Sequence, residues 1–215
     1  MSRMTRALAP VVSVSLALSA LVFVPEHAQA DVRASLPLTL HGPTIDAYAT
    51  QKTQSCQGGV RPGLNAFRDM ALDAVPEARD YGDYACRGTR GARGGLSDHA
   101  EGRAWDMGLN AGNPAEKAAA DELIDWLLAP DMWGNANANA RMLGLQMIIW
   151  NSQVWRADRP TLQPYRGGDS HTDHIHFSFN WAGANGETSF WNLPKLNSVS
   201  GGTGEASAPI PDPAS

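Results

Sequence analysis

The segment His174-Ile175-His176-Phe177-Ser178-Phe179 alternates polar and apolar side chains at every position. Successive side chains of a β-strand point to opposite faces of its sheet, so this alternation predicts a strand with one polar and one buried face. The side chains expected in the core are Ile175, Phe177 and Phe179. His174 and His176 then share the polar face, and His171 lies just upstream.

Residues 104–109 follow the same alternation. The side chains expected to pack inward are Trp105, Met107 and Leu109. Asp106 then lies on the opposite face between the small residues Ala104 and Gly108, which leave room for a metal ion and a substrate. Pairing the two strands brings Asp106 to the histidine face, and a turn at Gly102 can bring His99 back to it.

The remaining pattern mixes helical and extended segments without regular alternation. Helical spacing of apolar residues predicts a helix from Pro62 to about Val75, a second helix that begins at Pro114, and a shorter helix over residues 137–143. Further strands are predicted at residues 83–86 and 145–150, the latter with an extension toward Trp155. We therefore expect an α+β fold, in which helices pack around a mainly antiparallel sheet and the active site occupies one sheet face.

The sequence patterns at the two ends of the chain indicate an exported protein with a single folded domain between them. Residues 1–30 combine Arg3 and Arg6 with an apolar run and end in Ala28-Gln29-Ala30, as in a cleavable secretory signal peptide. The apolar run is shorter than the roughly 20 residues of a spanning helix, so we expect no membrane association after cleavage. Residues 31–197 form the predicted domain, and the Gly-, Ser-, Ala- and Pro-rich residues 198–215 a disordered tail.

The two cysteines bear on the redox environment of the protein, and its net charge bears on the partners it can bind. In an oxidising compartment Cys56 and Cys86 are expected to form a disulfide. The chain has 17 Lys and Arg against 22 Asp and Glu, a formal net charge of −5. This acidic balance argues against nucleic acid or an anionic membrane as the main partner.

His99, Asp106, His174 and His176 are side chains that bind Zn²⁺. A catalytic zinc site needs three protein ligands and keeps one position open for water. The two segments that contain these residues therefore make a secreted metallohydrolase the leading hypothesis.

The pattern Ser97-x-His99-x-x-Gly102-x-Ala104-x-Asp106, followed by His174-x-His176, resembles a group of zinc peptidases. That group contains lysostaphin-type enzymes, D-Ala-D-Ala carboxypeptidases and the hedgehog signalling domain. With His171 included, the pattern is most similar to penicillin-insensitive murein endopeptidase. The wider segment, about residues 83–181, is also similar to secreted actinobacterial proteins that are mostly uncharacterised.

The resemblance implies a zinc site with the ligands His99, Asp106 and His176. It also implies that His174 stabilises the oxyanion beside the metal and that His171 is the general base.

Two of these roles have competitors in the sequence. The carboxypeptidases place a glutamate shortly before the final histidine, and this chain has none there, so Asp173 and Glu101 compete with His171 as the base. The resemblance also implies an arginine that binds the substrate or its developing charge. Arg87 fits best, with Arg90 and Arg93 as alternatives.

The implied function is a secreted, zinc-dependent peptidase that hydrolyses amide bonds in peptidoglycan peptides. One alternative is a non-catalytic module of the same fold that binds cell wall or metal. A zinc-dependent phosphodiesterase or nuclease could use the same ligands, but the acidic chain lacks a broad basic face.

Overall fold

A computed structural model describes residues 31–39, 41–59, 61–88, 95–193 and 195–196. The predicted signal peptide, residues 1–30, and the predicted tail, residues 198–215, lie outside this part of the chain. The helices are α1 (Val32–Ser35), α2 (Pro62–Ala74), α3 (Pro114–Leu128), α4 (Ala138–Leu143), α5 (Trp181–Asn185) and α6 (Ser189–Asn192), and a 3₁₀ turn covers Asp98–Glu101. The strands are β1 (Leu38–Thr39), β2 (Arg79–Asp80), β3 (Ala104–Gly108), β4 (Leu145–Trp150), β5 (Gln153–Arg156), β6 (Arg159–Pro164), β7 (His174–Phe179) and β8 (Lys195–Leu196).

The main sheet has six strands in the order β2-β3-β7-β4-β5-β6. Each neighbouring pair is antiparallel, and β1 and β8 pair separately. Helices pack around this sheet. The fold is therefore α+β with an antiparallel sheet, as the sequence predicts.

The register of β3 and β7 follows from their alternating side chains. Asp106 lies opposite His176, and Trp105 lies opposite Phe177. The inward side chains are fully buried, and Phe67 of α2 packs against Trp105, Phe177 and Phe179 with ring centroids 6.1, 5.1 and 5.4 Å away. Burying one face of each strand fixes the register, because a slip of one residue would move this apolar set into solvent.

Proline and asparagine define the starts of the predicted helices. Pro62 and Pro114 stand in the first turns of α2 and α3, where a missing N–H leaves no hydrogen bond unmade. Asn113 precedes α3, and its side chain accepts a hydrogen bond from the Ala115 N–H. The three helices predicted from apolar spacing are thus confirmed.

Two predictions of extended structure were wrong. Residues 83–86 form no strand: the Ala85 N–H donates to the carbonyl of His99, in a loop beside the 3₁₀ turn. The segment that begins at Leu145 does not continue to Trp155, because Asn151 and Ser152 adopt positive φ angles of 45° and 61°. Two such residues make a tight hairpin turn that returns the chain as β5.

Cys56 and Cys86 form the predicted disulfide, with their Cα atoms 5.4 Å apart. A disulfide agrees with an extracellular or otherwise oxidising location. Within the described ranges, no helix has the length and apolar character needed to cross a membrane.

Candidate metal centre and adjoining cavity

His99, Asp106 and His176 converge on one point of the sheet face. The Asp106 Oδ1 atom lies 3.1 Å from His99 Nε2 and 2.8 Å from His176 Nδ1, and the two imidazole nitrogens are 3.3 Å apart. This group could hold a metal ion.

The 3₁₀ turn directs His99 into the site. Gly102 ends that turn with a φ of 65°, a left-handed conformation that favours glycine, and its N–H donates to the carbonyls of Asp98 and His99. The His99 Nδ1–H donates to the backbone carbonyl of Asp83 over 3.1 Å. Nε2 therefore keeps its lone pair and faces Asp106, as a metal ligand requires.

The orientation of His176 follows from its place on β7. Its Nε2 atom lies 2.9 Å from the hydroxyl of Ser178, which shares its strand face. Donation from Nε2–H to that hydroxyl leaves Nδ1 as a ligand atom beside Asp106. Burial lowers the pKa of His176 below its ordinary value, although Asp106 opposes this shift.

Asp106 supplies the negative charge of the site. Burial raises the pKa of its carboxyl, but the close contacts with the His176 and His99 imidazoles outweigh that effect and hold the pKa well below its ordinary value. The carboxylate therefore stays ionised. Arg87, which is partly exposed, has its Nη2 atom 3.7 Å from Asp106 Oδ2, whereas Arg90 and Arg93 lie outside the described residues.

An open cavity of about 290 Å³ adjoins this group. Its walls combine charged, aromatic and aliphatic side chains from several elements, namely Arg87, Leu96, Ser97, Asp98, Asp106, Met147, Ile149, Tyr165, Asp169, His171, His174 and His176. A ligand in the cavity can thus reach the metal-binding group directly.

His174 lies beside the three candidate ligands, and its Nε2 atom is 3.8 Å from Asp106 Oδ1. Its Nδ1–H donates to the carboxylate of Asp173 over 2.7 Å. This contact orients Nε2 toward the site. The geometry suits a group that stabilises negative charge next to a metal.

His171 packs against His174 with ring centroids 4.6 Å apart. Its Nδ1–H donates to the carbonyl of Asp169 over 2.8 Å, which leaves Nε2 free to accept a proton. Burial is the main effect that lowers the pKa of His171 below its ordinary value. At neutral pH the ring is therefore uncharged, as a general base must be.

The backbone at His171 is strained, since φ is 51° at a residue that carries a Cβ. The β4–β5 turn holds this conformation, because the N–H groups of Asn151 and Ser152 donate to the carbonyls of His171 and Ser170, both over 2.8 Å. The hairpin turn thus fixes the loop that carries His171.

The two alternative bases occupy other positions. Glu101 is 3% exposed and does not line the cavity, and its carboxylate accepts hydrogen bonds from Arg103 and from the N–H of Gln54. Asp173 is largely exposed and contacts His174. Of the three candidate bases, all in the described part of the chain, only His171 lines the cavity.

Among the residues of the site that sequence reasoning missed, four have polar side chains. Ser178 could have been found, because it lies on the strand face of His176 two positions later. Asp98 lines the cavity and accepts hydrogen bonds from Arg103 and Gln146, and Tyr165 meets His171 edge to face with centroids 5.2 Å apart. Tyr165, Asp98 and Asp169 lie in loops or turns, where no periodic pattern indicates direction.

Comparison with known proteins places the chain in a family. A family model described as VldE, C-terminal domain, matches residues 56–176, more than half of the chain. The chain belongs to this family. The matched segment begins at Cys56 and ends at His176, so it contains the metal-binding group and both further histidines. No curated protein and no solved structure gave a significant match.

Proposed function

We propose that the chain is a secreted, zinc-dependent peptidase that hydrolyses amide bonds in peptidoglycan peptides. The observation that carries the proposal is the convergence of His99, Asp106 and His176 beside an open cavity that two further histidines line.

The donor set suits zinc. Ligands about 2.0 to 2.1 Å from a tetrahedral ion are roughly 3.3 Å from one another. The imidazole nitrogens of His99 and His176 are 3.3 Å apart, and the carboxylate contacts at 3.1 and 2.8 Å need only a small outward movement of Asp106. Two neutral imidazoles and one carboxylate leave a net charge of about +1 with Zn²⁺ and an open position.

A zinc ion there supplies Lewis acidity, which polarises a carbonyl oxygen and acidifies water. The protein's own groups supply proton transfer and positioning. His171, uncharged at neutral pH, accepts a proton at Nε2 and returns it to the leaving amine. His174, held by Asp173, would stabilise the oxyanion with its Nε2 side, and Arg87 would bind negative charge on the substrate.

The assignment of substrate rests on the zinc-peptidase resemblance and on the expected export of the chain. For an exported bacterial peptidase, the peptide part of peptidoglycan is an abundant amide substrate. The mixed lining of the cavity supports a peptide ligand: Met147 and Ile149 offer apolar surface, and Arg87 offers a charge for a carboxylate. The acidic chain argues against a nucleic-acid substrate.

The test combines metal analysis with mass spectrometry of muropeptides incubated with the purified chain. We expect one zinc per chain and new peptide fragments, both lost in His99→Ala, whereas His171→Ala keeps the zinc and loses hydrolysis. Ser35→Ala, an exposed change in α1, serves as the matched control.

Two outcomes would contradict this proposal. A chain that binds zinc without cleaving any muropeptide is a binding module. Cleavage of plasmid DNA that a chelator abolishes, without peptide fragments, would instead support the phosphodiesterase alternative.

A further inference from the structure

Tyr81 is joined to the backbone of a candidate metal ligand. Its N–H donates to the carbonyl of Asp106 over 3.0 Å, and the Asp106 N–H donates to the carbonyl of Gly82 over 3.1 Å. These bonds continue the pairing of β2 with β3 by one residue. The position of Tyr81 is therefore coupled to that of Asp106.

The ring of Tyr81 lies on the sheet face that carries the site. A Cβ atom added to Gly108 would stand 2.5 Å from two atoms of this ring, so the ring covers the glycine directly. Gly108 pairs with His174 across β3 and β7, and the His174 ring centroid is 6.4 Å from that of Tyr81. The absence of a side chain at Gly108 is thus what lets Tyr81 lie beside His174.

Tyr81 remains 53% exposed although its backbone and one ring face are fixed. A rigid aromatic ring with a free face offers a large contact area and loses little conformational entropy when a ligand binds. The cavity reaches from Asp106 and His174 away from Tyr81 to β4, which contributes Met147 and Ile149. A substrate that extends from this cavity toward β2 must cross Asp106 and His174 before it reaches Tyr81.

We propose that Tyr81 is a specificity-determining residue, which contacts an aliphatic part of the substrate on the β2 side of His174. The inference rests on the proposed peptidase function. The cavity then binds the substrate on one side of the scissile amide, and the Tyr81 ring binds it on the other.

The experiment compares Tyr81→Ala, Tyr81→Phe and Tyr84→Ala in the full chain. Tyr84 is the matched control, because it is 49% exposed and its ring covers Gly58 rather than a glycine that pairs with His174. Three quantities are measured for each variant: zinc content, KM and kcat on purified muropeptides, and co-sedimentation with insoluble peptidoglycan.

We expect Tyr81→Ala to raise KM by about 3- to 10-fold, as the loss of one aromatic contact implies. Its zinc content stays at the wild-type level, and its co-sedimentation falls. Tyr81→Phe keeps the ring and stays within about twofold of the wild type, as does Tyr84→Ala.

Equal KM and equal co-sedimentation for Tyr81→Ala and the wild type would overturn the inference while leaving the peptidase intact. Binding to peptidoglycan that depends on Tyr81, without hydrolysis, would overturn the peptidase and keep the ring as a binding contact. A wild-type chain that neither cleaves nor sediments with peptidoglycan would overturn both proposals.

Discussion

The hydroxyl of Ser178 lies 2.9 Å from Nε2 of His176, two positions earlier on the same strand face. This contact selects the ring nitrogen that His176 presents to Asp106. Groups that orient a metal-ligating histidine in this way typically change metal affinity by about 10- to 100-fold. We therefore expect Ser178→Ala to weaken zinc binding by about that factor, measured by competition with a chromophoric chelator.

Because Ser178 is fully buried, its loss could also affect folding. Circular dichroism and the unfolding midpoint of the metal-free variant separate the two effects. An unchanged zinc affinity in a folded Ser178→Ala protein would show that the hydroxyl does not orient His176.

Gly167 leaves room for the ring of Tyr165, which packs edge to face against His171. A Cβ at Gly167 would stand 2.1 Å from the Tyr165 hydroxyl oxygen, so Gly167→Ala must displace that ring. The displaced atoms are the end of a flexible side chain, and we expect a stability change below about 1 kcal/mol. Without its edge contact His171 is less well oriented, and kcat should fall by about 10-fold with zinc affinity unchanged.

The control for this variant is Gly42→Ala, because a Cβ at Gly42 has no atom within 4 Å. Steady-state kinetics on muropeptides compares the two. Equal kcat values for both variants and the wild type would exclude a role for the Tyr165 ring in positioning His171.

Arg103 is completely buried and stabilises the turn that carries His99. Its guanidinium contacts the carboxylates of Glu101 at 2.8 Å and Asp98 at 3.2 Å, and it also donates to the carbonyl of Phe179. Removal of one partner from a buried ion pair costs about 3 to 5 kcal/mol, because the remaining charge is left without compensation. We expect Arg103→Met to lower the unfolding free energy by about this amount in urea titrations, whereas the exposed Arg33→Met changes it by less than about 0.5 kcal/mol.

Asp131, which lines a cavity other than the one beside the candidate metal centre, makes stability depend on pH. Burial raises the pKa of its carboxyl, but hydrogen bonds from Asn135 and from the Trp133 N–H outweigh that effect, so the folded pKa lies below the ordinary 3.8. A depressed folded pKa contributes stability above the unfolded pKa, and that contribution is lost as pH falls through the folded value. Urea titrations should show Asp131→Asn less stable than the wild type at pH 7, with the difference shrinking below about pH 4. A difference that does not vary with pH would contradict this assignment.

The sequence predicts the central part of the site because strand periodicity determines which side chains share a face. The alternation in β3 and β7 is enough to place Asp106 with His174 and His176, and Gly102 indicates the turn that brings back His99. The helical spacing of apolar residues likewise predicts α2, α3 and α4. Each of these helices has a proline in its first turn, a capping residue or apolar residues along one side.

The errors lie where pairing depends on distant parts of the chain. β6 was not predicted, because an edge strand that is mostly exposed and contains Pro160 and Pro164 shows no alternation of apolar residues. Residues 83–86 resemble a strand but pair with the turn at His99. The positions of Tyr165 and Asp169 depend on the hydrogen bonds between their loop and the β4–β5 turn, which no local pattern encodes.

The disulfide between Cys56 and Cys86 constrains the turn that carries His99. A residue next to each cysteine forms a backbone hydrogen bond to the 3₁₀ turn that carries His99. The Gln57 N–H donates to the carbonyl of Ala100, and the Ala85 N–H donates to the carbonyl of His99. Reduction of the bridge would release both of these attachments to the turn together, so we expect a reduced chain to hold His99 less firmly and to bind metal more weakly.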